Sequence, residues 1–186
     1  MTDDHASTGQ MGWGRFAAMI LTSSVLMFVL MYQLVYRFED ATFSINRLTA
    51  SLVMSCVMTA VMLGFMWSMY AGRALKWTIL TAAVLGAVLL LVVNRQQLMV
   101  ADAAFLRAMI PHHSIAINNA RRADLSDPRI RALADEIIRS QLVEIRAMQL
   151  LLDDLARNGE RTATPLPPRP DGLTPDMAAE AARMAE

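Results

Sequence analysis

Three long runs without a charged residue dominate the first half of this chain. They are Phe16 to Tyr36, Leu48 to Gly72 and Trp77 to Asn94, flanked by Arg15 and Arg37, Arg47 and Arg73, and Lys76 and Arg95. A bilayer core about 30 Å thick offers backbone N–H and C=O groups no partners, so a crossing run must be helical, and about 20 residues at 1.5 Å each are enough. The pattern predicts a three-span membrane domain over residues 16–98 after an N-terminal tail of 1–15. The first run is too long for a signal-peptide core and lacks a persuasive small-residue cleavage site, so it is expected to remain as an anchor. Tyr32, Tyr36, Trp67, Tyr70 and Trp77 fall near run ends, where interfacial aromatics sit. Arginine and lysine are nearly balanced between the two sides. The reading leans towards a cytoplasmic N-terminus at a bacterial inner membrane, which places the C-terminal half outside.

Composition narrows the function classes. The formal net charge is zero, and Met99 to Arg157 holds eight arginines against eight acids, so no basic patch suits nucleic acid. The one cysteine, Cys56, excludes an intramolecular disulfide, a zinc finger and a CxxC redox site. Fifteen methionines are unusual, and eight of them lie in the first two runs. Met54, Met58, Met62 and Met66, with Met69 nearby, share an arc of roughly 120° on a helix. That face either packs flexibly between spans or forms a thioether track for cuprous ions. No ionisable side chain lies deep in a span, which argues against proton-coupled transport.

Beyond Asn94 the pattern becomes amphipathic. A helix is predicted from Val100 to Arg122, possible as a continuation of the third span, with a turn at Asp124–Asp127 and a second helix from Pro128 to Arg157. Asp127 serves as N-cap and Pro128 as first helical residue; Asp135–Arg139 and Asp153–Arg157 are expected as supporting pairs, and Asn158-Gly159 ends the helix. This hairpin, 99–157, is followed over 158–186 by a proline-rich linker and a short helix from Thr174 to Met184. Pro111 has no N–H to donate, so the first hairpin helix should kink and leave the Arg107 carbonyl without its usual partner.

Candidate ligands concentrate on this hairpin. Met109 and His113 are four apart and share a helical face, with His112 on its flank and Asp102 one heptad earlier. The second helix carries a stripe of Ile130, Leu133, Ala134, Ile137, Gln141, Glu144, Met148, Leu151 and Leu155, interrupted by Gln141 and Glu144. A carboxylate on a buried stripe must be paired, protonated or coordinated. Antiparallel packing about the predicted turn sets Met109 and His113 opposite Ile138–Gln141, and Asp102 opposite Met148. The expected cluster is Met109, His112, His113, Gln141, Glu144 and Met148, with Asp102 at the membrane end. Imidazole and thioether donors suit copper above all, with zinc or iron as alternatives.

The sequences Asp102-x-x-Phe-x-x-x-Met109-Ile-Pro-His-His-Ser and Asp127-Pro-Arg-Ile-Arg-x-Leu-Ala134 through Gln141-x-x-Glu144 to Met148 closely resemble the bacterial family catalogued as domain of unknown function 305. The three preceding spans are similar to a membrane-anchored branch of that family. The resemblance implies a ferritin-like helical fold and copper handling through Met and His residues.

The expected fold is all-α: three transmembrane helices, then an antiparallel helical hairpin forming a ferritin-like half-bundle. Two helices make a thin core, so pairing with a second protomer, or docking of the C-terminal helix, is predicted. The expected role is a membrane-anchored, non-enzymatic binding protein for copper or a similar metal in homeostasis or tolerance. The alternative is a structural or oligomerisation protein in which His113 and Glu144 form a buried latch without metal. A transporter subunit rests on the methionine ladder alone. A metalloenzyme would need an open coordination position and a substrate cleft, and the sequence displays neither.

Overall fold

The computed structural model describes residues 12–162, 164–168 and 171–185, so most of the predicted 1–15 tail lies outside the described residues. The described residues form helices and no strand: α1 (Trp13–Leu30), α2 (Ile45–Phe65), α3 (Arg73–Arg95), α4 (Asp102–Arg122), α5 (Pro128–Asn158) and α6 (Pro175–Ala185). Short 3-10 turns lie at Phe38–Asp40 and Trp67–Met69. Two compact units result: one of Met1–Gln33 with Ser44–Val100, the other of Leu34–Phe43 with Ala101–Glu186. Residues 34–43, which their position inside 16–98 grouped with the membrane domain, therefore pack with the hairpin.

In the first unit, α1, α2 and α3 are each long and apolar enough to cross a membrane. Hydroxyl groups tie α2 to α1: Ser24 and Ser55 share a hydrogen bond of 2.6 Å, and the Ser51 hydroxyl donates to the Ser24 carbonyl at 3.2 Å. α3 approaches α2 at Gly86, where an added Cβ would stand 3.3 Å from Cys56 Sγ. The first two helices stop short of the predicted span ends. α1 ends at Leu30, where the Arg47 guanidinium donates to the Met31 carbonyl and lies 4.3 Å from the Tyr32 ring centroid. A cation there also suits the negative end of the α1 dipole. Gly72, at φ 86°, separates the turn after α2 from α3. The methionine ladder is divided between environments. Met62 and Met66 pack on the Phe16–Leu63–Tyr70 cluster, whereas Met54 is exposed.

In the second unit, α4 and α5 form the antiparallel hairpin around Leu106, Ile110, Ile117, Ile145 and Met148. α4 is separate from α3, because the backbone turns at Gln97 (φ 53°) before Asp102. Asp127 caps α5 by accepting from the Arg129 N–H at 2.9 Å, Pro128 is its first residue, and Gly159 (φ 73°) ends it. The ion pairs differ from those predicted: Asp135 meets Arg131 at 2.8 Å, and Arg139 turns to Glu136. Arg157 donates to the Asp153 backbone carbonyl rather than its carboxylate.

The Leu34–Phe43 segment lies against α4 as a strap. α4 runs through Pro111 as one helix, and the carbonyl that proline deprives, that of Arg107, accepts from Thr42 Oγ1 at 2.6 Å. One turn beyond Pro111, Ser114 Oγ accepts from the Tyr36 N–H at 2.8 Å and donates to Asp40 Oδ2 at 2.6 Å. Both Ser114 and Asp40 are buried. The strap thus supplies the donor that the proline leaves missing, and α4 satisfies the strap in return.

Candidate metal centre

His113 is presented by α4 at one edge of the hairpin seam. Its Nδ1 lies 2.9 Å from Glu144 Oε2 on α5; the histidine side chain is 13% exposed and the glutamate 50%. The separation is that of a hydrogen bond, but the carboxylate lies off the ring N–H direction, and Nδ1 is buried without an aligned partner. The contact is therefore a charge–dipole approach rather than a formed hydrogen bond. Burial lowers the His113 pKa below the ordinary 6.5; Glu144 opposes that shift and His112 adds to it. The imidazole is consequently neutral at pH 7 and keeps a ring-nitrogen lone pair for a Lewis acid.

The other predicted residues divide around this pair. His112 is exposed, with its ring 6.0 Å from that of His113, centroid to centroid, at a steep angle. Met148 belongs to the buried core and Met109 packs against it, so both thioethers lie in the apolar layer along the seam. Gln141 is half-buried on the same stretch of α5. Asp102 is set apart. It lines a cavity of about 420 Å³ with Phe105, Leu151, Asp154 and Leu155 rather than facing Met148. Among the described residues, no group of three or more His, Cys, Asp or Glu side chains converges closely enough to hold an ion. One chain therefore brings together one imidazole and one carboxylate, with thioethers in the adjacent layer.

Two expectations about α5 need correction. The hairpin register is shifted by about one turn, because His113 meets Glu144 rather than the Ile138–Gln141 region. Residues 123–127 connect the helices without helical rise, and their geometry leaves no periodic signal. The buried face is also rotated by roughly 50° from the predicted stripe. Ala134, Ile145 and Met148 are buried, while Ile130, Leu133 and Leu151 are exposed. Apolar residues cover too much of α5 for one partner to bury, so Glu144 sits at the rim of the seam.

Sequence reasoning missed the strap residues Tyr36, Asp40 and Thr42, along with the role of Ser114. The available signal was the deprived Arg107 carbonyl, which required a donor from elsewhere in the chain.

The model of the family described as Domain of unknown function (DUF305) matches residues 92–185, half of the chain. A relative from Acanthamoeba polyphaga mimivirus, named Uncharacterized protein L153, is 44% identical over 62 residues, covering 32% of this chain and 41% of that protein. The chain thus spans less than half the length of that curated relative. No solved structure matches.

Proposed function

The chain belongs to the Domain of unknown function (DUF305) family, and from that premise we propose that it is a membrane-anchored binding protein for copper or a similar transition metal. The ion would be held at the His113 edge of the hairpin, in the service of metal homeostasis or tolerance. The buried Nδ1 of His113, 2.9 Å from Glu144 and without an aligned hydrogen-bond partner, supports this most directly. Such a nitrogen is costly unless something accepts its lone pair or its proton. An ion between it and Glu144 would satisfy both groups. Met109 and Met148 along the seam favour copper over zinc or iron, since thioethers select soft ions.

The anchor is α1 to α3, proposed to span a bacterial inner membrane with the hairpin outside. The two crossings between them, α2 and α3, would return residue 101 to the side of residue 34, in keeping with the joint packing of strap and hairpin. The alternative latch reading, a structural protein with no metal, draws on the same His113–Glu144 contact and on the small number of convergent donors. Titration of the purified full-length protein in detergent separates them, using cuprous and cupric ions against a competing chelator at pH 7. Metal binding predicts saturable uptake that His113→Ala lowers at least tenfold. The latch predicts no uptake by either protein, with a lower melting temperature as the sole effect of His113→Ala.

A further inference from the structure

The hairpin has two broad sides, and the strap covers one. There Tyr36 and Asp40 are bound to Ser114, and with Leu142, Ile145, Arg146 and Gln149 they enclose a cavity of about 130 Å³. The opposite side carries Leu133, Ile137, Ser140, Glu144, Ala147 and Leu151 of α5, at steps of four and three, beside Phe105, Met109 and His112 of α4. Phe105, Leu133 and Leu151 are 52%, 43% and 51% exposed. α6 reaches α5 near its first turn, through an Arg129 hydrogen bond to the Ala185 carbonyl, and buries none of its own residues. It does not cover this face.

We propose that a second copy of this chain covers it, and that the two copies share one metal ion between their His113–Glu144 pairs. The inference rests on the metal-binding reading above. Three observations select this occupant. The steps of four and three on α5 are the spacing by which one helical seam meets another. From Leu133 to Leu151 the face is about 27 Å long, and two helices make it about 20 Å wide, so a symmetric pair buries on the order of 1,000 Å². That reaches the lower bound for a specific interface. The third is charge. Two chains anchored alike in one bilayer are related by an axis along its normal, which sets equivalent residues at equal depth. Glu144 lies near the middle of the Leu133–Leu151 face, so the two His113–Glu144 pairs fall close to that axis, and two carboxylates at a shared seam are held together best by a cation between them. One chain supplies two such donors; two chains supply four, the number that closes a tetrahedral site.

Sedimentation velocity of the full-length protein in detergent, with and without copper ions, tests this together with the copper-to-chain ratio. The face variant Leu133→Arg with Leu151→Arg alters half-exposed side chains and no proposed ligand, and its helical circular dichroism checks the fold. The wild type should become a dimer on adding copper, with one ion per two chains. The face variant should stay monomeric and bind copper at least tenfold more weakly, and His113→Ala should lose copper-driven dimerisation. A monomeric wild type holding one copper per chain overturns the shared site and leaves the metal-binding reading standing. A dimer that takes up no copper overturns both.

Discussion

Ser114→Ala removes the node that joins the strap to α4. The hydroxyl donates to the buried Asp40 carboxylate at 2.6 Å and accepts from the Tyr36 N–H at 2.8 Å. A hydrogen bond to a charged group contributes about 1.5–3 kcal/mol and a neutral one about 1 kcal/mol. Alanine fills nearly the same volume, so the loss is polar, not a cavity. The combined cost is about 3 kcal/mol, or roughly two orders of magnitude in the equilibrium for strap release at 1.4 kcal/mol per tenfold. Release should be local, because the core of Leu106, Ile110, Ile117, Ile145 and Met148 is built by α4 and α5 themselves, and of the strap only Tyr36 packs against it. Hydrogen exchange by mass spectrometry on the full-length protein in detergent reads it directly. Peptides covering 34–43 should exchange about a hundredfold faster, while those from α2 and α3 stay unchanged. Equal exchange in the strap of both proteins would show that Ser114 does not hold it.

Other consequences are smaller or act elsewhere. Thr42→Val deprives the Arg107 carbonyl of its donor at a more exposed position, and should lower stability by about 1 kcal/mol in a denaturant titration. Because burial depresses the His113 pKa, protons bind the unfolded chain more readily: stability held above pH 6.5 should be lost as the pH falls through the lower folded value. Melting curves from pH 7.5 to 5 should show this decline, and His113→Gln should flatten it. Gly86→Ile places branched carbons where Cys56 Sγ already stands 3.3 Å from an added Cβ, and should loosen α2 from α3, measured as faster labelling of Cys56 by a maleimide.

The local rules read well from sequence, and the non-local ones less so. Asp127-Pro128 and Gly159 mark the ends of α5 because cap chemistry acts within a few residues. Charge-free runs locate α1 to α3 for the same kind of reason, although Leu30 and Phe65 end two of the helices earlier than hydropathy suggests. The sequence pattern places His113 and Glu144 in one neighbourhood but not at one level, since the connection 123–127 sets the register and carries no periodic signal. Glu144 was read as buried because two overlapping apolar stripes on α5 look like one. The strap was invisible to periodicity: Asp40 and Ser114 are 74 positions apart and nothing local relates them. Only the missing donor at Pro111 pointed outward from α4.

The central claim is that His113 Nδ1 and Glu144 face a metal ion rather than only each other. An anomalous difference map, from crystals of the copper-loaded full-length protein measured at the copper edge, tests it at atomic level. The account predicts a peak about 2 Å from the His113 ring nitrogen, the length of an imidazole–metal bond, with a Glu144 oxygen in the same coordination sphere. A fully loaded protein whose peaks all lie elsewhere, with His113 donating to Glu144 along an aligned hydrogen bond, would contradict it.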